Sequence, residues 1–474
     1  MKSLLVGNGI NIQFGGKAYS SEFIMKRIKY QATLDSYTEI FGNALTGKEI
    51  IAILDGFVDI GNEIRNGDYD QFVDSEDLSW ALEDFKNRYG TELCLSHEIM
   101  LEDWFFIIHM FFLKNGDLKE NARSAIQGFE QLILDAIYNG GKIQELYSKM
   151  SKESKRYFKS FDNMFTLNYD NNIEMLTQKE VYHLHGDFNV LANSENLSNV
   201  QGYIREQADE RVVVSGKEHC YCNALLNYSG ELKYRTAKIR HDLLIDSNEY
   251  RKKYDYDPDF RSQLSALESE KPVEYEMIMT KIFHPELTMG TEYHFHTLQS
   301  VQDELHIIGI SPNNDGHIFN LILNNKSLNK VVFYYFLEAE KKDVEKQYST
   351  DLFECRSIQD LWKSLKAIAP QYNCSYKIPD EIDQFMDIFN ELSGDVATKE
   401  QVLKEISQKP QFEIERLCAL VKADMLLRNP EYKITNEADF LKANASISYV
   451  ALQEGVLPSS LYMMCTMNFK AIKN

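Results

Sequence analysis

The chain has 474 residues, of which 44% are hydrophobic and 26% charged, and its formal net charge is −21. This length allows two or three domains with a large buried core. The acidic balance argues against nucleic acid as a direct ligand, because neutralising phosphates requires clustered Lys and Arg. A locally basic segment at 233–240 departs from this balance.

The seven cysteines are scattered along the chain, with Cys220 and Cys222 close together. A C-x-C pair is one residue too tight for the usual zinc knuckle, so we expect reduced thiols and no bound metal. The apolar run from Trp104 to Leu113 is about half as long as a membrane span, which predicts a buried helix. The first strand is too short for a secretory signal. These features predict a soluble cytoplasmic protein.

The most informative segment is the start of the chain. A short apolar strand over residues 2–6 runs directly into the turn Gly7-Asn8-Gly9, and we expect a helix to begin near Tyr19. Glycine lets a backbone approach a ligand closely, and a helix start offers unpaired N–H groups to phosphate. The pattern predicts a dinucleotide-binding turn. The alternative is a tight strand-to-helix turn that needs glycine for packing.

Residues 19–158 show helical periodicity, for instance in the apolar spacing between Ile50 and Ile64 and in the segment opened by Ser75. A helix containing Trp104 is expected to end at Asn115, and another to run from about 118 to 138. We predict an all-helical insertion that covers the site.

Strand and helix patterns alternate in the rest of the first 375 residues. Such alternation is typical of βαβ units and predicts an α/β fold with a Rossmann-like parallel sheet. The polar, Tyr-rich stretch at 189–300 lacks clear periodicity and is interpreted as a mixed, partly helical insertion. After residue 376 short helices alone are predicted, so we interpret 376–474 as a helical interaction or oligomerisation region. The predicted strands are 161–169, 181–185, 305–310 and 330–336, with helices near 315–324 and 341–347.

Polar side chains stand at the carboxyl end of the predicted strand 161–169, at Thr166, Asn168 and Asp170. Open α/β sheets bind their ligands at this edge. An Asn carboxamide there can hydrogen-bond a ribose hydroxyl or hold a water molecule. The alternative is an Asn/Asp-rich helix cap with a structural role.

Two histidines, His183 and His185, lie in the next predicted strand, and Gly186 follows them. An imidazole in an open turn at a strand end can act as a base near neutral pH. Strand alternation places both rings on one face, so it does not decide between them. A structural role is the alternative for either one.

The strand at 305–310 ends in a turn that contains Gly309, Ser311, Asn314 and Asp315. Gly309 and Ser311 are placed to lie beside a diphosphate, with Asn314 or Asp315 near the adenosine ribose. Ordinary capping of the following helix is the alternative.

In this order the four segments resemble the SIR2 family of sirtuin-like NAD-binding proteins. That family has a glycine turn, a T-x-N-x-D strand, an H-G strand and a G-x-S…D turn. The resemblance implies that His185, rather than His183, is the catalytic imidazole and that Asn168 is its partner. The implied NAD contacts are Gly7, Asn8, Gly9, Asn11, Thr166, Asp170, Gly186, Gly309, Ser311, Asn314 and Asp315.

Two features of deacetylase sirtuins are missing: residues 12–17 lack their proline and arginine, and no C-x-x-C zinc module is present. What remains is similar to bacterial SIR2-like effectors of anti-phage defence, which hydrolyse NAD⁺ to nicotinamide and ADP-ribose and so starve an infected cell. The sequence Gly-Asn-Gly-Ile-Asn at 7–11 is also similar to the AbiH abortive-infection family. The resemblance implies a homo-oligomer and a regulatory partner encoded nearby, a nucleoside-triphosphatase or nucleotide-processing protein.

We therefore predict a SIR2-like NAD-binding domain over 1–375 that acts as an NAD⁺ glycohydrolase, without metal, nucleic acid or membrane as a partner. Two alternatives remain open. One is a sensor that binds NAD or ADP-ribose without turnover, and the other is a residual deacylase or ADP-ribosyltransferase.

Overall fold

A computed structural model of the chain describes residues 1–32, 46–73, 75–90, 93, 99–116, 119–191, 216–287, 291–348 and 351–367. The predicted helical region 376–474 lies outside these described residues. The strands in the described part are β1 Lys2–Val6, β2 Asn163–Thr166, β3 Tyr182–His183, β4 Asp303–Ile308, β5 Leu328–Tyr335 and β6 Phe353–Ser357.

These strands form one parallel sheet in the order β3-β2-β1-β4-β5-β6. The direction of winding reverses between β1 and β4, as in the doubly wound order of dinucleotide-binding folds. The predicted α/β fold with a parallel sheet is confirmed, and its strand order is compatible with a Rossmann-like fold. The crevice at the reversal lies beyond the carboxyl ends of β1 and β4.

The described part of the predicted insertion at 19–158 is helical, with connecting turns. Its segments begin and end where local sequence signals place them: the Ser75 hydroxyl accepts a hydrogen bond from the Leu78 amide, and the Trp104 helix ends at Lys114. The helices before β2 are α1 Gly9–Gly15, α2 Ser21–Ala32, α3 Gly47–Asp55, α4 Phe57–Asn66, α5 Glu76–Arg88, α6 Leu101–Lys114, α7 Lys119–Tyr138 and α8 Lys152–Lys159.

The predicted mixed insertion at 189–300 is mainly helical where it is described. Its helices gave little periodicity because they bury few side chains; Leu264 is the buried residue of one and none is buried in another. The helices after β2 are α9 Asn172–Thr177, α10 Gly230–Ser247, α11 Tyr250–Tyr256, α12 Pro258–Glu270, α13 Pro272–Phe283, α14 Phe295–Gln299, α15 Gly316–Asn324, α16 Glu338–Gln347 and α17 Ile358–Ser364.

Both faces of the sheet are buried, as expected for parallel strands covered by helices. Along β1, Leu5 packs into a core with apolar residues of α14 and α15, while Leu4 and Val6 face a second core that includes α1 and α17. The helices α2–α7 have a third core around Trp104, which is fully buried. No helix among the described residues has the length and apolar character needed to cross a membrane.

A buried ion pair joins α5 to α6. The two terminal guanidinium nitrogens of Arg88, Nη1 and Nη2, donate to the carboxylate of Asp103, Nη2 at 2.8 Å, and the Tyr89 hydroxyl donates to the same carboxylate at 2.6 Å. Arg88 also donates to the Ser229 hydroxyl at 3.2 Å, immediately before α10. Arg88 therefore connects the helical insertion to the start of α10.

Candidate functional site

Three glycines bring the turns after β1 and β4 into direct contact. The Gly9 amide donates to the Gly309 carbonyl at 3.1 Å, and a Cβ atom added to Gly9 would lie 2.5 Å from the Gly309 Cα. A Cβ on Gly7 would meet the same carbonyl at 2.6 Å, and Gly309 has a φ of 71°. Backbone packing between β1 and β4 therefore requires glycine at these positions. This agrees with the alternative interpretation, a tight strand-to-helix turn that needs glycine for packing.

We expect Gly9→Ala to lower the free energy of unfolding by about 1–3 kcal/mol, because overpacking against backbone exceeds the gain of about 1 kcal/mol from helix propensity. Gly116→Ala is the matched control, since no atom of the described residues lies within 4 Å of a Cβ there. Urea denaturation of both variants measures the difference. A Gly9→Ala protein as stable as the control would contradict this packing.

The helix predicted to begin near Tyr19 is present as α2, which begins at Ser21, and an unpredicted short helix, α1, begins earlier at Gly9. The Gly7 amide donates to the Ile308 carbonyl and the Ile10 amide donates to the Gly7 carbonyl. With the Gly9 amide, three amides of this turn are therefore satisfied within the protein. The Asn8 carboxamide donates to the Tyr19 carbonyl at 2.9 Å. In this conformation Asn8 ties the turn to the 3₁₀ helix Lys17–Tyr19.

Asn11 and Asp170 belong to one buried network. The Asn11 side-chain nitrogen donates to the Asp170 carboxylate at 2.7 Å, and the Asn172 amide donates to it at 3.1 Å. Burial raises the pKa of Asp170, and these donors oppose the rise. Asn11 Oδ1 is buried without a hydrogen-bond partner among the described residues. The network fastens α1 to the start of α9.

Asn168 lies directly against the glycine turn. Its backbone amide donates to the Thr166 hydroxyl at 3.0 Å, and its side-chain nitrogen donates to the Gly7 carbonyl at 3.3 Å. Thr166 thus holds the backbone that presents Asn168. With 9% of its surface exposed, Asn168 is at the carboxyl edge of the sheet, as predicted.

The two histidines have separate environments because β3 ends at His183, so strand alternation does not extend to His185. The His183 ring contacts the Asn168 carbonyl at 3.0 Å through Nδ1 and the Glu174 carboxylate at 2.5 Å through Nε2. Although burial opposes the charge, the hydrogen bond to Glu174 raises the pKa of His183 to about 9. His183 is a charged, structural residue.

The raised pKa of His183 predicts a pH-dependent stability. Its stabilisation is complete below the ordinary value of 6.5 and is lost as the pH rises through about 9. We expect His183→Gln to cost about 1–3 kcal/mol near pH 6 and progressively less toward pH 9. Denaturant melts across this range measure it, with His284→Gln, at an exposed His–Glu pair, as control. A deficit that does not change with pH would contradict the ion pair.

His185 meets a second histidine. Its Nε2 lies 3.3 Å from Nε2 of His317, the rings are stacked, and Phe295 packs beside both. Burial lowers the pKa of His185 well below 6.5, and the nearby Lys233 lowers it further. The same two causes lower the pKa of His317 to about 3. Burial thus favours the neutral form of both imidazoles, which can accept a proton but holds it weakly.

Asp315 completes this cluster instead of capping α15. It occupies the N-cap position without a side-chain capping bond, and its carboxylate lies with the nitrogens of His185 and His317 within 4.8 Å of one another. Burial raises the pKa of Asp315 to about 7, with Lys233 opposing the rise. The ligand types also suit a divalent cation, but the positive charge of the buried Lys233, which acts on all three groups, disfavours one.

The other predicted contacts shape the backbone around the cluster. The Ser311 carbonyl accepts from the amides of Asn314 and Asp315 at 3.1 and 3.0 Å, which forms the turn before α15, and Asn314 is exposed. Gly186 has a φ of 83°, and a Cβ there would lie 2.4 Å from the Asn223 carbonyl. Gly186 thus allows close packing immediately after His185.

Sequence reasoning missed His317, Lys233 and Glu102. Lys233 is 2% exposed and pairs with Glu102 at 3.3 Å, so it is not part of an exposed basic patch at 233–240. His317 stands two residues after the predicted site residue Asp315, and this proximity in the sequence could have identified it as a candidate. The pairing of Lys233 with Glu102 joins residues 131 positions apart and had no local signal.

Fold and site together define an α/β protein with a doubly wound parallel sheet and, at its carboxyl edge, a cluster of two buried histidines and a partly buried aspartate. No family model, curated protein or solved structure matches the chain.

Proposed function

We propose that this protein is an NAD⁺ glycohydrolase that cleaves NAD⁺ to nicotinamide and ADP-ribose. The observation that carries the proposal is the position of the His185 imidazole, two residues beyond the end of β3, at the sheet edge where Asn168 contacts the glycine turn. Doubly wound sheets bind nucleotides at this edge.

Hydrolysis breaks the bond between ribose C1′ and the nicotinamide nitrogen, and the bonding electron pair returns to the ring, which leaves as neutral nicotinamide. No strong general acid is therefore required. A water molecule forms the new C1′–O bond on the open face of the ribose and loses a proton to His185. Because the reacting carbon resembles an oxocarbenium ion, positioning contributes more than base strength.

Asn168 is assigned to orient that water molecule and the ribose hydroxyls, since a carboxamide can donate and accept at once. Asp315 lies beside His185 and His317, so we assign its carboxylate to the nicotinamide ribose instead of the adenosine ribose. We assign the diphosphate contacts to Ser311 and to the turns that contain Gly7, Gly9 and Gly309.

Access to this site requires motion. His185 is 4% exposed and Asn168 is 9% exposed, which is too little for a ribose to reach both side chains. The Leu225 amide donates to the His185 carbonyl at 2.9 Å, and Phe295 covers the ring. We infer that assembly into an oligomer, or a regulatory partner encoded nearby, opens this cover during infection, so that NAD⁺ is depleted only then.

The test is incubation of the purified full-length protein with NAD⁺, alone and together with its neighbouring gene product. Chromatography is expected to show nicotinamide and ADP-ribose in equal amounts. Constant NAD⁺ in both mixtures with saturable binding would favour the sensor. ADP-ribose attached to a protein would favour a transferase. Loss of acetyl groups from a peptide in parallel with NAD⁺ would favour a deacylase.

A further inference from the structure

A second cluster of ligating side chains lies outside the proposed catalytic site. The carboxylate of Glu292 bridges two imidazoles, with Nδ1 of His241 at 2.7 Å and Nδ1 of His296 at 3.1 Å. The two rings are 4.5 Å apart at their centroids. One ligating atom from each of the three residues lies within 4.8 Å of the others.

This cluster opens to solvent. His241, Glu292 and His296 contribute to the lining of a cavity of about 110 Å³ between α10 and the start of α14. His296 is 54% exposed, and the side chains of His241 and Glu292 are about a quarter exposed. Ions can therefore reach the three ligating atoms, and water can occupy further coordination positions.

We propose that His241, Glu292 and His296 bind a divalent transition-metal ion of the Zn²⁺ type. Two imidazoles and one carboxylate are preferred by such ions, whereas Mg²⁺ and Ca²⁺ prefer oxygen ligands alone. Donor atoms around tetrahedral zinc stand roughly 3.3 Å apart, from bond lengths of about 2.0–2.1 Å. The separations are 2.7 Å from His241 Nδ1 to Glu292 Oε2 and 3.1 Å from His296 Nδ1 to Glu292 Oε1, about 0.6 and about 0.2 Å below that spacing.

A metal ion at this site would connect two parts of the fold. Tyr293 and Phe295 are buried, although they also border the cavity, and the Phe295 ring lies beside the His185 ring with 6.4 Å between centroids. Glu292 and His296, in the same segment, supply two of the three ligating atoms. A bound ion would join this segment to α10, which carries Lys233. The metal therefore clamps two of the elements that cover the proposed catalytic cluster.

The experiment titrates the metal-free, full-length protein with Zn²⁺ by calorimetry and with Co²⁺ by absorption spectroscopy, without NAD⁺. We expect one equivalent to bind, with a Co²⁺ spectrum that lacks thiolate charge transfer and so excludes the cysteines. His296→Ala and His241→Ala are expected to weaken this equivalent by more than about 100-fold, since even outer-shell changes cost 10–100-fold. Zn²⁺ should raise the melting temperature of the wild type but not of either variant.

His284→Ala is the matched control, because His284 also pairs with a glutamate, at 3.3 Å, and is exposed. It should bind Zn²⁺ as the wild type does. His296 is largely exposed, so its alanine variant should remain folded. Equal Zn²⁺ affinity in wild type, His241→Ala and His296→Ala, or no binding by the wild type, would overturn the proposal. Neither result depends on whether the protein hydrolyses NAD⁺.

Discussion

Replacing His185 with glutamine is expected to reduce nicotinamide release by about 10²–10⁴-fold, the usual loss when a positioned base is removed. This corresponds to roughly 3–5 kcal/mol of transition-state stabilisation. Glutamine keeps the polar character of the buried position, whereas alanine leaves a cavity beside His317 and Phe295. Initial rates at saturating NAD⁺, measured under the conditions that activate the wild type, give the ratio.

His183, two residues before His185, supplies the control for the His185 substitution. His183 is held by Glu174 and the Asn168 carbonyl, so His183→Gln should alter stability while largely retaining the chemical step. Asn168→Ala is expected to lose activity to a similar extent as the His185 variant. Undiminished nicotinamide release by folded His185→Gln and Asn168→Ala proteins would remove both assignments.

Arg88→Ala is expected to lower the free energy of unfolding by about 3–5 kcal/mol, the cost of leaving a buried charge without its partner. The Asp103 carboxylate would keep the Tyr89 hydroxyl but lose both guanidinium contacts. Because Arg88 also reaches Ser229, we expect the helical insertion and α10 to loosen together. Denaturant unfolding followed by circular dichroism measures the loss.

Arg251→Ala is the control for that substitution. Arg251 pairs with Asp255 at 3.0 Å on the surface of α11, where both side chains are more than one third exposed, and such pairs are worth about 0.3–0.5 kcal/mol. Similar destabilisation by the two alanine variants would show that burial of the Arg88 pair is energetically unimportant.

The parts of the fold that follow from local pattern were predictable. The apolar strands β1, β4 and β5, and the helices around Trp104, carry periodicity or capping signals in their own residues. Strand β6 was missed because its residues Phe353–Ser357 are half-buried or exposed and so lack a continuous apolar run. The helices α11 and α12 were missed because they present little apolar surface to any core.

The candidate site also has a part that was predictable from the sequence and a part that was not. Gly9, Asn168 and His185 stand next to strand ends, so sequence placed them at one edge of the sheet. The contact of His185 with His317 and the burial of Lys233 depend on how distant helices pack, which no local spacing encodes. Asp315 was recognised, but its membership in the histidine cluster was not.

The most direct test of the central claim is a crystal structure of the full-length protein with ADP-ribose, prepared with the activating partner if one is required. The proposed site predicts the terminal ribose between Asn168 and His185, with its C1′ hydroxyl within hydrogen-bond reach of the imidazole. A nucleotide bound elsewhere, with the His185–His317 cluster still closed, would contradict it.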